Sequence, residues 1–129
     1  EKAFHLATEA CQGKPALATL LGSLHNELTV ARLAVDDMVR SHDNYSFTPD
    51  RNLTNAILTR KTIANQAIRN VVDQAAVLVG GSGFFQGSDL ERIIRDVRAM
   101  HFHPLPEHKQ QAFSGRLLQG LDPVCELTQ

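Results

Sequence analysis

Gly80-Gly81-Ser82-Gly83-Phe84-Phe85-Gln86-Gly87-Ser88-Asp89-Leu90-Glu91-Arg92-Ile93-Ile94-Arg95-Asp96 is the stretch that decides how this chain folds. A long apolar-periodic segment stops at its first two glycines, and a new helix starts at Ser88. Two readings of the turn stay open. As structure, the glycines supply backbone angles that other residues reach only with strain. As chemistry, open backbone amides beside a helix N-terminus suit a phosphate. Ser88-Asp89-Leu90-Glu91 matches the capping box, in which the Ser oxygen and the Glu carboxylate each satisfy a backbone N–H. Leu90, Ile93, Ile94, Val97 and His101 then share one helix face. Arg92 and Asp96, four apart on the other side, can pair.

Upstream, Thr48-Pro49-Asp50 predicts a helix start: a capping hydroxyl, proline at the first helical position, and an acid at the positive dipole end. Leu53, Ile57, Ala64, Ala67 or Ile68, Val71, Ala75 and Leu78 carry that helix to Val79, a length of ~45 Å. Its alanines let a neighbour approach closely, and Arg60, Lys61 and Arg69 read as a solvated face. Ser41 to Ser46 is polar and reads as a loop. Before it, Leu17, Leu20, Leu21, Leu24, Leu28, Ala31, Val35 and Met38 mark an amphipathic helix from Ala16 to about Arg40, with Asn26, Arg32 and Asp36 opposite. His25, beside the stripe, reads as a partly buried structural histidine. Residues 2–12, with Ala3, Leu6, Ala7 and Ala10 at helical spacing, form a short helix or the end of a longer one, stopped by Gly13 and Pro15. Downstream, Pro104 and Pro106 end the helix begun at Ser88. A last helix, from about Glu107 to Gln119, turns Phe113 and Leu117 inward and stops at Gly120. With no alternating strand pattern and only short connections, sequential helices become antiparallel neighbours. The expected fold is all-α, an up-down four-helix-type bundle.

The 129 residues make one domain, large enough for a hydrophobic core. Thirteen basic and 14 acidic residues leave a net charge of −1, which favours neither nucleic acid nor an anionic membrane. No apolar run approaches the ~18 residues that span a bilayer. Cys11 and Cys125 lack metal-ligand spacing and read as free or buried thiols in a reducing cytoplasm. The sequence begins at Glu1, already inside a helical pattern, as expected of a piece of a longer protein.

The joined pattern of a long alanine-rich helix, Gly80-Gly81-x-Gly83-Phe84, and Glu91-Arg92-x-x-Arg95-Asp96 resembles the C-terminal helical domain of the acyl-CoA dehydrogenase family. The resemblance covers nearly the whole chain. It implies that residues 1–129 are the last of three domains of a flavoprotein, after an N-terminal helical and a middle β-domain. It further implies a cytoplasmic homotetramer of fatty acid metabolism that binds FAD between domains and subunits, or reduced FMN in the monooxygenase branch. The glycine turn would touch the flavin of a neighbouring subunit, which assigns Gly80, Gly81 and Gly83, with Ser82 beside them, to cofactor binding. Arg95 and Asp96 read as a charge pair that fixes the geometry of the bundle.

Two positions depart from the family pattern. Val77 stands where members often have a Gln that helps hold the cofactor. Pro104 stands where many dehydrogenases place the α-proton-abstracting Glu, so the base must come from elsewhere. Glu107 reads as an acid stabilised by the start of the last helix. Glu27 is the only acid in the middle of the first long helix, and no motif selects it. His101-Phe102-His103, with His108 beyond, has no carboxylate or Cys partner at matching spacing, so no metal is expected. His103 falls where flavin monooxygenases resembling dibenzothiophene monooxygenase carry a flavin-facing His, and an imidazole suits proton transfer there.

The leading expectation is thus the C-terminal domain of an FAD-dependent α,β-dehydrogenase of acyl-CoA thioesters, a homo-oligomer with no nucleic-acid or membrane partner. The alternatives are a reduced-flavin monooxygenase with His103 as acid–base group, and a non-catalytic helical assembly module. The isolated chain is expected to be folded, self-associating, colourless and inactive.

Overall fold

The computed structural model describes residues 1–43, 46–48, 50–103 and 105–124. In order, its helices are α1 (Lys2–Cys11), α2 (Ala18–His42), α3 (Arg51–Val79), α4 (Asp89–Arg98) and α5 (Glu107–Leu118). Short 3-10 turns at Pro15–Leu17, Gly81–Phe84 and Ala99–His101 punctuate the connections. Among the described residues there is no strand, and the all-α expectation holds.

α3 is the post against which every other helix packs. Its start differs from the expected one. The cap is Asp50, whose Oδ1 accepts from the amides of Asn52 (2.6 Å) and Leu53 (2.9 Å). One carboxylate oxygen thus takes two open amides at the helix start. Pro49, the expected first helical residue, lies outside the described residues. α2 also begins later than Ala16, because Pro15–Leu17 first forms a 3-10 turn.

The cross-links fix directions. Asp37 pairs with Arg60, and Glu27 accepts from Asn70, so residue numbers rise on α2 as they fall on α3. Glu1 with Arg32, and the Phe4 ring 5.9 Å from His25, set α1 against α2 in the same antiparallel sense. Asp73 pairs with Arg98, placing α4 antiparallel to the C-terminal half of α3. Gln110 with Thr59, and Ser114 with Asn55, place α5 antiparallel to the N-terminal half. α4 and α5 therefore run one after the other in the same direction. The fourth column of the bundle is built from two helices, not from one helix and a reversal.

The core joins Ala3, Ala7 and Cys11 of α1, Leu24 and Leu28 of α2, Val71, Val72, Ala75, Ala76 and Leu78 of α3, and Leu90 of α4. Burying a leucine as completely as Leu24 contributes roughly 1.5–3 kcal/mol. The α2 stripe is narrower than its periodicity predicts. Leu20 and Val35 are exposed, while Ala34 is buried against the neighbouring helix. His25 is exposed rather than partly buried. Cys11 is a buried free thiol, and Cys125 lies outside the described residues. Among the described residues, no helix is long and apolar enough to cross a membrane.

The face read as solvated is the largest correction. Arg60 bonds Asp37 across to α2. Lys61 Nζ donates to the carbonyls of His103 (3.1 Å) and Leu105 (3.0 Å). Arg69, only 16% exposed, pairs with Glu107 at 3.2 Å. Long aliphatic stems let these cations lie along an apolar surface and still reach polar partners.

Candidate functional site

α3 ends where Gly80 adopts φ 75° and ψ −161°, a conformation essentially confined to glycine. The Gly80 amide donates to Ala76 O at 3.0 Å, and the Gly83 amide donates to Gly80 O at 3.0 Å. Ser82 Oγ donates to Val79 O at 3.3 Å. Gly83 is buried for a packing reason: a Cβ there would stand 2.7 Å from Leu90 Cδ2 and 3.2 Å from Val79 Cγ1. Leu90 is itself buried, so it cannot yield cheaply. Gly81 and Ser82 are exposed, and a Cβ on Gly81 would meet open space. The structural reading therefore accounts for Gly80 and Gly83, while Gly81 and Ser82 present accessible backbone.

The start of α4 is less open to an anion than the sequence implies. Ser88 Oγ accepts from Glu91 N at 3.0 Å and donates to Gly83 O at 2.7 Å, pinning the turn to the helix. The reciprocal half of the capping box is missing, because the Glu91 carboxylate faces Arg95 at 3.5 Å and Ser88 N donates to Phe85 O. Asp89 and Glu91 place two carboxylates in the first turn. Lys2 pairs with Asp89 at 2.6 Å, which holds that carboxyl below its ordinary range. A phosphate approaching this region would find its donors at Gly81 and Ser82, not at the helix start.

Arg92 pairs with Asp89, one turn back, instead of with Asp96. Arg95 and Asp96 do approach each other, at 3.6 Å, but both are about two-thirds exposed. Such a pair contributes little to stability and joins no two helices of this chain. Val77 is also exposed, beside a surface cleft formed with Asp73, Ala76, Phe84, Ile94 and Arg98.

His103 lies beyond the other end of α4, so the ten-residue helix, ~15 Å long, separates it from the glycine turn. The structure does not bring the two candidate sites together. His101, Phe102 and His103 are all exposed. Arg69 Nη1 lies 2.9 Å from His101 Nδ1. The same Nη1 lies 3.4 Å from His101 Nε2, so the guanidinium faces both nitrogens of the ring. Pro104 lies outside the described residues. Among those described, no group of three or more His, Cys, Asp or Glu gathers to hold a metal.

Glu107 is a poor substitute base. Its carboxylate accepts from Gln66 Nε2 (2.7 Å), Arg69 Nη2 (3.2 Å) and Gln111 Nε2 (3.1 Å). The Gln66 hydrogen bond foremost, with Arg69 beside it, holds it ionised below the ordinary glutamate value. Glu27 is half-buried and accepts from Asn70 Nδ2 at 3.1 Å, a structural link between α2 and α3. The ties made by Lys61, Gln66, Arg69 and Glu107 escape sequence reasoning. The one available signal was a pair of cations, Lys61 and Arg69, on the same side of a helix too long for one partner to cover.

A family model described as acyl-CoA dehydrogenase, C-terminal domain, matches residues 5–103. Comparison with the curated proteins and with the solved structures gives no match. The matched segment runs from α1 through α4 to His103 and includes the whole glycine turn, so the chain belongs to the acyl-CoA dehydrogenase C-terminal domain family.

Proposed function

We propose that the chain serves as the C-terminal helical domain of an FAD-dependent oxidoreductase that desaturates an acyl-CoA thioester between its α and β carbons. The observation that carries this reading is the exposed Gly81-Ser82 backbone, held in place by Gly80, Gly83 and Ser88, inside the segment that matches the family. Bound flavin would accept the electrons of the oxidation. The residues of this chain would supply backbone contact at Gly81 and Ser82 and a fixed junction between α3 and α4. The large exposed apolar side chains Leu33, Val39, Phe85 and Phe102 support a place within a bigger assembly, since other domains or subunits would cover them.

Gly81→Leu tests the assignment cleanly. The position has a negative φ and open space around its Cβ direction, so the fold should be unaffected. In the complete flavoprotein the variant should lose most of its bound flavin. Full flavin content in that variant would remove the turn from the cofactor site.

A second reading, a reduced-flavin monooxygenase with His103 as acid–base group, is favoured by one observation. Lys61 fixes the His103 carbonyl while the residue itself stays exposed. Turnover that requires reduced flavin and oxygen, and disappears in His103→Ala, would establish it over the dehydrogenase.

A further inference from the structure

The segment leaving α4 is short of regular structure, yet Lys61 and Arg69 of α3 both reach it, and Arg69 joins Gln66 on Glu107 at the start of α5. Lys61 Nζ bonds the carbonyls of His103 (3.1 Å) and Leu105 (3.0 Å). Arg69 bonds His101 Nδ1 (2.9 Å) and the Glu107 carboxylate (3.2 Å), and Gln66 bonds the same carboxylate (2.7 Å). Lys61 and Arg69 are about two helical turns apart on α3; Arg69 holds the chain at His101 and at Glu107, and Lys61 holds it between them. Surface cations without partners would gain nothing from such placement; here each contact is charge-assisted and bridges residues more than 30 positions apart.

The geometry points to Lys61 and Arg69 as positioning residues for the His101–His103 segment. Lys61 sets the height of the His103 backbone above α3. Arg69 sets the orientation of the His101 ring and, through Glu107, anchors the start of α5. The consequence for catalysis rests on the His103 reading; the clamp itself does not.

Backbone 15N relaxation on the 129-residue chain tests the clamp. In the wild type, the amides of His101, Phe102, His103 and Leu105 should show order parameters near ~0.85, falling below ~0.6 in Lys61→Met. Lys61→Arg, which keeps donors for two carbonyls, should restore them. In Arg69→Met, the 15N shifts of the His101 ring should change, because the guanidinium beside its nitrogens is gone. Unchanged order parameters in Lys61→Met and an unchanged His101 ring in Arg69→Met would overturn the inference. So would loosening spread equally over α2, which would mean a general loss of stability. In the complete enzyme, Lys61→Met should lower kcat roughly 100-fold with KM unchanged if His103 takes part in the chemistry. A loosened segment with normal kcat would keep the clamp and discard the His103 reading.

Discussion

From Ala64 onward, α3 presents Ala64, Ala67, Val71, Val72, Ala75, Ala76 and Leu78, all buried. Before Ala64, Thr62 is the buried residue, and hydrogen bonds to α5 run through Asn55, Thr59, Gln110 and Ser114. One half is held by apolar area and close approach, the other by hydrogen bonds and ion pairs beside a single buried ring, Phe113 of α5. Apolar burial supplies most of the free energy of folding, whereas each hydrogen bond nets only ~1 kcal/mol. Polar contacts demand a particular geometry, however, and so fix where α5 and the segment before it lie. The bundle should therefore be strongest around the glycine turn and open first around α5.

The sharpest way to break that contrast is to cut into the apolar half. Leu90→Ala removes a side chain that is 2% exposed and should cost about 3 kcal/mol in urea unfolding. A loss no larger than that of Gln110→Ala, which removes polar contacts of α5, would contradict it. Gly83→Ala should cost about 1–3 kcal/mol by overpacking against Leu90. Much of that penalty should vanish when Leu90→Ala is the background, because the clashing atom is gone.

The polar half should respond more weakly and locally. Gln110→Ala strips a buried amide from Ser114 and Thr59 and should cost about 1–2 kcal/mol, with faster hydrogen exchange confined to α5. Glu107 makes the same half acid-sensitive. Its carboxyl titrates below the ordinary value of 4.5 in the fold, so its contribution is present above that value and lost as pH falls through the lower folded one. The protection of the α5 amides against exchange, taken relative to their intrinsic rate at each pH, should fall on acidification below pH 4.5, and Glu107→Gln should remove that dependence. Because the Arg69–Glu107 pair is partly exposed, its loss should cost under about 1 kcal/mol at neutral pH. The smallest effect belongs to Arg95→Ala and Asp96→Ala, each within about 0.5 kcal/mol, since both side chains face solvent.

The contrast also explains what the sequence could reveal. Periodicity registers apolar burial, so Ala64 to Leu78 and Leu24 to Ala31 declare their buried face, and Gly80 and Ser88 declare the break between two helices. Periodicity is blind to a cation that reaches across a groove. Arg60, Lys61 and Arg69 carry the residue types of a solvated face, and only the packing of α2 and of the residues from His101 to Glu107 along α3 gives them partners. Nor could local patterning show that α4 and α5 run in the same direction, because that follows from pairings such as Gln110 with Thr59, 51 positions apart. The glycine turn was legible as a turn. Which of its glycines packs and which stays accessible depends on Leu90, and that needed coordinates.

Anaerobic titration of the complete, oxidised flavoprotein with a panel of acyl-CoA thioesters tests the functional proposal most directly. Bleaching of the flavin absorbance by thioester alone, fastest for one chain-length class, is the predicted result. An absorbance unchanged by every thioester, with turnover only when reduced flavin and oxygen are supplied, would contradict it and move the chemistry to His103.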